Sequence, residues 1–367
     1  MNTIKINRET LLEPLYAVSG IIERRHTLPI LSNVLLERSG SDITIVATDI
    51  EIQISARAVC DQPGDAKSIT VGARKLLDIL RALPEQSEVT LTLQEKKLQV
   101  KAAKSRFNLQ TLPADDFPKL SLVEGASTKM VLPQKILKQL FLSVQYAMAQ
   151  QDIRYYLNGL LLVSAGDRIT VVATDGHRLA LASAQHKIDG TQEVILPRKT
   201  IIELSKLLSD GDDPVEVELS PTQARFRFGG IVLISKLVDG KFPDYTRVIP
   251  TTHNKRLLLD RVQLLQALQR AAILTNEKFK GVRWVLADGS LKIICSNNEQ
   301  EEAQEELDVT YTGEPLDIGF NVNYLQDVLN NLYCAEVECA LGDANSSALI
   351  TVPGNDNFKY VVMPMRI

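Results

Sequence analysis

The feature that most constrains the fold is an internal repeat, because one module must then fold three times within the chain. The matching segments are ITIVATDIEIQISA (43–56), ITVVATDGHRLALA (169–182) and the weaker LKIICSNNEQEEAQ (291–304). Asp49, Asp175 and Asn297 correspond, and they are separated by 126 and 122 residues. Self-similarity at a fixed period is typical of an architecture built from repeated supersecondary units. The sequence therefore predicts three copies of one domain in a chain of 367 residues.

Each copy of the repeat begins with an amphipathic helix and contains a second helix further along. The first helices are predicted over 7–21, 133–147 and 260–274, and the second over 73–84, 197–210 and 321–334. Apolar residues recur at helical spacing in these segments, and about eight strand-like segments follow or separate them in each copy. Asn7 and Asp260 are of the residue types that favour helix N-caps. We therefore predict an α+β fold of three domains, 1–124, 125–251 and 252–367.

Asp175 lies beside His177 and Arg178 in VVATDGHRLALAS (171–183), a combination that suggests an active site. The repeat favours a structural interpretation, because an Asp or Asn at a tight turn between strands hydrogen-bonds its own backbone two residues on. Gly176, His177 and Arg178 replace the Ile-Glu-Ile of the first copy, so copy two has a candidate for a local function here. No Ser or Cys nucleophile pattern lies nearby. A binding surface is the leading interpretation, and a hydrolase or transferase using Asp175 and His177 is the alternative.

Composition and motifs argue against several classes of protein. The chain has four cysteines without a CxxC pair and has no P-loop, GxGxxG, HExxH or EF-hand pattern, so we expect no metal and no cofactor. The acidic run NNEQEEAQEELD (297–308) lacks regular ligand spacing and is expected to be a solvated or partner-facing strand. No apolar stretch is long enough to span a membrane, and the N-terminus lacks a signal-peptide pattern. A reducing cytoplasm is the expected location.

The second helices of the first two copies carry basic residues beside their apolar faces. Arg74 and Arg81 lie away from the leucines of copy one, and Arg198, Lys199 and Lys206 are expected outside the packed face of copy two. Because repeated units align their like faces, such residues together would attract a polyanion, even though the formal net charge is −4. The sequence shows no base-reading helix and no aromatic stacking platform. Contact with a phosphate backbone would therefore be independent of sequence.

Short motifs spread over the whole chain together resemble those of one known family. In order they are TLPILSN, ARKLLDILRALP, SRFNLQTLPADDFP, QDIRYYLNG, VATDGHRLA, SKLVDGKFPDY, AAILTNEKFKGVR, IGFNVNYLQDVLN and YVVMPMR. The family is that of the bacterial sliding clamps, the β subunit of DNA polymerase III. The resemblance implies three clamp domains per chain and a head-to-tail homodimer ring whose helices line the hole. Duplex DNA would thread the ring, and the clamp would confer processivity without catalysis of its own. A clamp-like paralogue with another client is a further alternative.

By this resemblance, duplex DNA would contact a set of side chains in the first two copies. They are Arg25, Arg74, Gln151, Tyr155, Tyr156, Arg198 and Lys199. Around Arg25, the segment ERRHTLP departs from the glycine-rich loop that is usual in the family. The expected partners are a second copy of the chain, double-stranded DNA, the polymerase III catalytic subunit and the clamp loader. Other polymerases and repair proteins with short hydrophobic clamp-binding motifs are expected as well, and no membrane is.

The resemblance also implies a cleft for partner peptides between the second and third domains and the C-terminus. Its residues would be Leu157, Thr174, Gly176, His177, Arg178, Leu179, Pro243, Arg247, Val248, Phe279, Asn321, Tyr324, Ser347, Val361, Val362, Met363, Pro364, Met365 and Arg366. Gly176 would let a partner's backbone approach, and Met363 would adapt to different ligands. Leu179, Val248 and Val362 would offer apolar area. Departures that would alter the preference of the cleft lie at Asn345 and Ile367.

The dimer interface implied by the resemblance joins the first domain of one chain to the third domain of the other. Its residues would be Lys75, Ile79, Phe107 and Leu109 on one side and Arg270, Ile273 and Leu274 on the other. Glu299, Glu301 and Glu302 flank the second group, and they would face a basic patch such as Lys104 and Arg106. A head-to-tail contact of this kind gives a closed ring only if its rotation closes.

Overall fold

The computed structural model describes residues 3–23, 28–94, 96–121, 127–187 and 190–366. Within these ranges each copy of the repeat has two α-helices, as predicted. They are Arg8–Ser19 (α1), Ala73–Ala82 (α2), Gln134–Val144 (α3), Arg198–Leu207 (α4), Arg261–Ala271 (α5) and Val322–Asn330 (α6). The first helices of copies two and three are shorter than predicted because their last turns are 3₁₀ turns, Gln145–Ala147 and Ala272–Leu274.

The predicted N-caps are confirmed. Asn7 Oδ1 accepts a hydrogen bond from the backbone N–H of Glu9 at 2.9 Å. Asp260 Oδ1 accepts one from the backbone N–H of Gln263 at 2.8 Å. Each bond satisfies one of the donors that a helix leaves unpaired in its first turn, which stabilises the helix by about 1 kcal/mol.

The strands of copy one are fewer and longer than predicted. They are Thr3–Asn7 (β1), Asn33–Thr48 (β2), Ile52–Gly72 (β3), Glu88–Gln94 (β4), Lys97–Ala102 (β5) and Ser105–Leu112 (β6). In β2 the register against β3 shifts around Gly40 without ending the strand. Each of β2 and β3 corresponds to two separate strands in copy two. The eight expected strands are therefore fused into six in the described part of copy one.

Copies two and three each have the predicted eight strands within the described residues. In copy two they are Thr128–Pro133 (β7), Gly159–Ala165 (β8), Arg168–Thr174 (β9), Arg178–Gln185 (β10), Thr191–Pro197 (β11), Pro214–Leu219 (β12), Gln223–Phe228 (β13) and Ile231–Lys236 (β14). In copy three they are Lys255–Asp260 (β15), Gly281–Ala287 (β16), Ser290–Ser296 (β17), Glu302–Asp308 (β18), Leu316–Asn321 (β19), Glu336–Leu341 (β20), Ala348–Val352 (β21) and Asn355–Val362 (β22).

Within the described residues the strands form antiparallel sheets, two of which run from one copy of the repeat into the next, while the third lies within copy three. The orders are β1-β4-β5-β6-β3-β14-β13-β12-β7 with β2 beside β3, then β11-β8-β9-β10-β22-β21-β20-β15, and β18-β17-β16-β19. The chain accordingly divides into two compact units, 1–135 with 202–237 and 136–201 with 238–367. These units follow the shared sheets, so the domain limits at 124 and 251 stay a prediction from the repeat.

The cores of both units are mostly aliphatic because only 5% of the residues are aromatic, and some of these few aromatic residues are fully buried. In the first unit, Leu76, Leu77 and Leu80 of α2 are buried, which confirms the predicted apolar face. In the second unit, Trp284 is buried against Phe320, with ring centroids 5.4 Å apart. Each fully buried side chain of this size stabilises the fold by about 1.5–3 kcal/mol. Among the described residues, no helix is both long enough and apolar enough to cross a membrane.

Candidate functional site

The turn between β9 and β10 is held by two side chains that bind its own backbone. Asp175 Oδ1 accepts hydrogen bonds from the backbone N–H groups of His177 at 2.9 Å and Arg178 at 3.0 Å. Thr174 Oγ1 accepts one from the Gly176 N–H at 3.1 Å and donates one to the Arg178 carbonyl at 2.6 Å. The structural interpretation of Asp175 is therefore confirmed, since one oxygen of its carboxylate serves the turn.

The corresponding residues of the other copies make the same bond. Asp49 Oδ1 accepts hydrogen bonds from the Glu51 N–H at 3.0 Å and the Ile52 N–H at 2.8 Å. Asn297 Oδ1 accepts one from the Glu299 N–H at 3.0 Å. A bond made in all three copies belongs to the architecture of the repeat rather than to chemistry that is special to one copy.

Replacing Asp49 tests the structural role of this turn in copy one, where nothing suggests a binding function. Asp49→Ala removes an acceptor from two backbone N–H groups, so we expect the free energy of unfolding to fall by about 1 kcal/mol. Asp49→Asn keeps the Oδ1 acceptor and should change it by less than about 0.5 kcal/mol. Urea denaturation of both variants measures the difference. Equal stability of the two variants would contradict the role assigned to the oxygen.

Arg178 is the centre of the part of copy two that departs from the repeat. Its Nε donates to Asp175 Oδ2 at 3.1 Å, its Nη1 to Asp327 Oδ2 at 2.6 Å and its Nη2 to the Tyr146 carbonyl at 2.6 Å. The guanidinium also lies over the Tyr324 ring, 4.3 Å from its centroid. Only 10% of the side chain is exposed. Arg178 therefore joins β10 of copy two to α6 of copy three.

Gly176 and His177 are the exposed residues of the same turn. Gly176 has φ +89°, a conformation that favours glycine. A Cβ there would come within 2.8 Å of Nη2 of Arg154. The space above Gly176 is thus occupied by Arg154, not left open for a partner's backbone as expected. Arg154 is held in place by Asp152, whose pKa is lowered to about 2 by hydrogen bonds from the Arg154 side chain and backbone N–H.

The C-terminal segment lies beside this turn. Arg178 pairs with Val362 at the junction of β10 and β22. Beyond the strand, the Met363 N–H donates to the His177 carbonyl at 2.9 Å. The Met365 N–H donates to the Gly319 carbonyl at 2.8 Å. The segment 363–366 therefore follows on from the sheet and is fixed by its backbone at two points.

The apolar surface beside the turn is smaller than expected. Leu179 is 3% exposed and Val362 is 0% exposed, so the prediction that both offer apolar area is wrong. Leu179 packs in a core cluster with Leu161 and Phe242 because side chains alternate across each strand. The apolar area that a ligand could cover comes instead from Met363, which is 47% exposed, and from Val248 and Phe279.

The other side chains of the predicted cleft all lie in the second compact unit and differ in exposure. Those that are buried are Leu157, Thr174 and Val361. Those that are exposed are Pro243, Arg247, Phe279 and Arg366, and those of intermediate exposure are Asn321, Tyr324, Ser347, Pro364 and Met365. Phe279, Met365 and Arg366 line a cleft of about 950 Å³ together with Asn345. Ile367 lies outside the described residues. The predicted set thus combines a buried floor with an exposed rim.

The residues predicted to contact DNA differ in the solvent exposure of their side chains. Arg74, Gln151 and Tyr155 are exposed, whereas Tyr156 is half-buried. Arg198 is half-buried rather than outside the packed face, because its Nη1 donates to the Met148 carbonyl at 3.1 Å. Burial lowers the pKa of Arg198, and the neighbouring charge of Arg178 lowers it further. Lys199 has intermediate exposure, and Arg25 lies outside the described residues.

The basic helix faces of the first two copies have no counterpart in copy three. On α5, Arg261 donates to the carbonyls of Leu329 and Cys334, both at 2.9 Å. Arg270 pairs with Glu305 at 2.5 Å. The helix α6 carries no Lys or Arg. The electrostatic attraction of a polyanion would therefore come mainly from copies one and two.

The residues predicted for the interface lie on or near two strands, β6 and β18, each of which has one unpaired edge in the described part of the chain. Phe107 and Leu109 are half-buried on β6, while Lys75 is exposed and Ile79 half-buried on α2. Within the part of the chain that the structure describes, residues 105–110 of β6 pair with β5 alone, and β6 meets β3 only at Leu112 and Thr111. On copy three, β18 pairs with β17 only, and the nearby Ile273 is 77% exposed. Leu274 is half-buried beside it.

Comparison with known proteins agrees with the fold over the whole chain. Family models of the DNA polymerase III beta subunit match the chain in three parts. The model of the N-terminal domain matches residues 2–121, that of the central domain 131–244 and that of the C-terminal domain 246–366. A beta sliding clamp of Pseudomonas putida is 48% identical over 364 residues, which is 99% of each chain. The crystal structure of the DNA polymerase III subunit beta of Pseudomonas aeruginosa is 47% identical, with a TM-score of 0.96 over 100% of both chains. A sliding clamp of that organism bound to griselimycin is also 47% identical, with a TM-score of 0.95 over 100% of this chain and 99% of that one.

Three α+β domains of this kind define the chain as a DNA clamp. The predicted fold class is thereby confirmed for the single chain. The chain belongs to the DNA polymerase III β-subunit family, the bacterial β sliding clamps. Members of this family are non-catalytic processivity factors of DNA replication. The alternative that the chain is a hydrolase or transferase using Asp175 and His177 is therefore wrong. No group of metal-ligating side chains occurs among the described residues.

Two residues of the site were missed from the sequence. Arg154 lies between Asp152 and Tyr155 in the motif QDIRYYLNG, but nothing in that motif shows that it covers Gly176. Asp327 is an isolated acidic residue on a helix, and it contacts Arg178 across 149 positions of sequence. A lone charge carries no pattern, so only the fold could reveal either contact.

Proposed function

We propose that two copies of this chain form a head-to-tail ring around duplex DNA in the cytoplasm. The ring tethers the polymerase III catalytic subunit, the clamp loader and other proteins that carry short hydrophobic motifs. Membership of the β sliding clamp family supports this proposal, and the observation that carries it is the pair of unpaired strand edges, β6 on copy one and β18 on copy three. An unpaired edge is a template for pairing with another chain.

The two edges differ in charge as a head-to-tail contact requires. Lys104 and Arg106 are exposed at the start of β6. Glu299, Glu301 and Glu302 are exposed at the start of β18. Opposite charges on two different surfaces favour a heterologous contact between copies and disfavour pairing of either edge with itself. A ring of two chains is the smallest closed assembly that uses both edges.

A charge placed at the apolar part of this interface should break the ring. Ile273 is exposed in the single chain, and Ile273→Glu would bury an unpaired carboxylate against the partner. We expect wild type to be a dimer at low micromolar concentration and the variant to dissociate at least about 100-fold more readily, which is about 2.7 kcal/mol. Sedimentation velocity over a range of concentrations measures this.

Leu258→Glu is the matched control, because Leu258 is also an exposed apolar residue but lies on β15, away from both edges. It should remain a dimer. A wild-type monomer at low micromolar concentration would contradict the ring.

The proposed DNA contacts are few and independent of sequence. The exposed residues Arg74, Gln151 and Tyr155 offer a cation, an amide and a phenol to a phosphate backbone. Arg198 and Lys199, on α4, and the half-buried Tyr156 are proposed to add to them, as is Arg25. Weak contacts of this kind suit a clamp that moves along DNA, since strong base contacts would hold it at one place.

The cleft for partner peptides is proposed to lie beside the Asp175 turn and the C-terminal segment. The exposed Val248 and Met363 form its apolar rim, and the half-buried Tyr324 and Met365 lie further along it. Methionine adapts its shape to different ligands, which suits a cleft that serves several partners in turn. The experiment that tests the cleft is the removal of its C-terminal part, argued in the Discussion.

A further inference from the structure

We propose that Asp327 is a positioning residue of the partner cleft. It holds the Arg178 guanidinium, and through Arg178 it fixes the turn that carries His177 in the shape that a partner segment binds. The proposal rests on the proposed function of the cleft. Asp327 lies on α6, outside the set of residues predicted to contact a partner.

The Arg178 guanidinium is held by hydrogen bonds from all three of its nitrogens. Each of its three nitrogens donates a hydrogen bond, to Asp175, to Asp327 and to the Tyr146 carbonyl. Asp327 is the only one of these acceptors that belongs to copy three. A guanidinium presents its donors in a rigid plane, so three acceptors on different elements fix its position and its orientation.

Two aromatic rings also lie beside the guanidinium. The Tyr324 ring lies 4.3 Å from it and the Tyr146 ring 5.8 Å from it. The Tyr360 hydroxyl donates to the Tyr324 carbonyl at 2.8 Å, and the Tyr360 ring lies 6.0 Å from that of Tyr146. Contacts between a cation and aromatic faces are stronger where water is excluded. Arg178 therefore cannot turn towards a ligand without losing several contacts at once.

Hydrogen bonds of the backbone connect Arg178 to the exposed residues His177 and Met363, so a displacement of Arg178 would move them too. The Arg178 N–H and the His177 N–H share Asp175 Oδ1, and the His177 carbonyl accepts from the Met363 N–H. His177 and Met363 are both exposed, whereas only 10% of the Arg178 side chain is. Loss of the Asp327 carboxylate leaves a buried guanidinium without one of its two anionic partners, so the turn is expected to shift.

The test compares three variants in the dimeric protein. The probe is griselimycin, to which a similar sliding clamp of Pseudomonas aeruginosa is bound. Asp327→Ala removes the carboxylate, and Asp327→Glu keeps it on a longer side chain. Glu338→Ala is the control, because it breaks a contact of the same length, Arg256 Nη1 to Glu338 Oε1 at 2.6 Å, on the far strand β20. Calorimetry gives griselimycin affinity, and the NMR resonance of the His177 Cε1–H reports the position of the turn.

We expect Asp327→Ala to bind griselimycin at least about tenfold more weakly and to shift the His177 resonance. Asp327→Glu should restore binding to within about threefold of wild type, and Glu338→Ala should change neither readout. If Asp327→Ala does not fold, Asp327→Asn, which keeps an acceptor without the charge, should show the same two changes to a smaller extent. Binding by Asp327→Ala within about twofold of wild type, or an equal loss in Glu338→Ala, overturns the proposal. If wild type itself fails to bind griselimycin, the cleft assignment fails, and the positioning role fails with it.

Discussion

A chain that ends at Val362 should stimulate its polymerase no more than a reaction without clamp, although it should still be a dimer. The truncation removes Met363, an exposed apolar side chain beside the His177 turn, and Met365, which lines the adjacent cleft. We expect partner affinity to fall by at least about 100-fold, or about 2.7 kcal/mol. Primer extension on a circular template, with and without clamp, measures the effect.

The fold should tolerate this truncation. The segment contributes two backbone hydrogen bonds, to the carbonyls of His177 and Gly319, and each stabilises the fold by about 0.5–1.5 kcal/mol. The residues proposed for the dimer interface lie elsewhere, on α2, β6 and the end of α5. Met363→Ala separates the side chain from the backbone, because it keeps the bond to His177, and it should lose part of the stimulation. Leu258→Ala, a control at another exposed apolar residue, should lose none. Normal stimulation by the truncated chain would remove the cleft assignment.

The parts of the fold that follow from local pattern could be predicted from the sequence. The six helices begin within a residue or two of their expected starts, since apolar spacing and capping residues such as Asn7 and Asp260 define a helix locally. The role of Asp175 could be predicted as well. Its bond spans two residues, and its recurrence in the other copies showed that it was structural.

Contacts between distant segments could not be predicted in the same way. The pairing of β3 with β14 and of β10 with β22 joins separate copies of the repeat, and no periodicity within one strand indicates its neighbour in the sheet. The burial of Leu179 and Val362 follows from these pairings, which place both side chains in the interior. For this reason the predicted apolar surface was too large.

The candidate site depended on the family resemblance more than on physical pattern. The resemblance selected residues of one compact unit, and many of them lie beside the Asp175 turn. It did not distinguish a residue that a ligand can touch from one that holds others in place. Arg178 illustrates the difference, because its three acceptors and two aromatic neighbours are visible only in the folded chain.

Clamp loaded onto a nicked circle of DNA should remain bound, and cutting the circle should release it within the time of a gel-filtration run. The formal net charge is −4, and the two arginines of the copy-three helices are engaged by backbone carbonyls or by Glu305, so electrostatic attraction alone would hold the protein weakly. Retention on the circle must therefore come from topology. A protein held by six to ten phosphate contacts loses about 10³–10⁵ in affinity between about 50 and 200 mM salt. A closed ring on a circle should show almost no such dependence over that range.

Blocking the ends of the cut DNA distinguishes threading from ordinary binding. Streptavidin on biotinylated ends leaves the contact surface of the duplex unchanged, but a ring could not slide past it. Retention should then return to that of the circle, because escape requires a free end rather than the loss of a contact. The dissociated variant Ile273→Glu should be released from all three substrates. If wild type stayed on linear DNA with open ends, its contacts would be strong and local, and the proposal that the ring holds DNA by encircling it would be wrong.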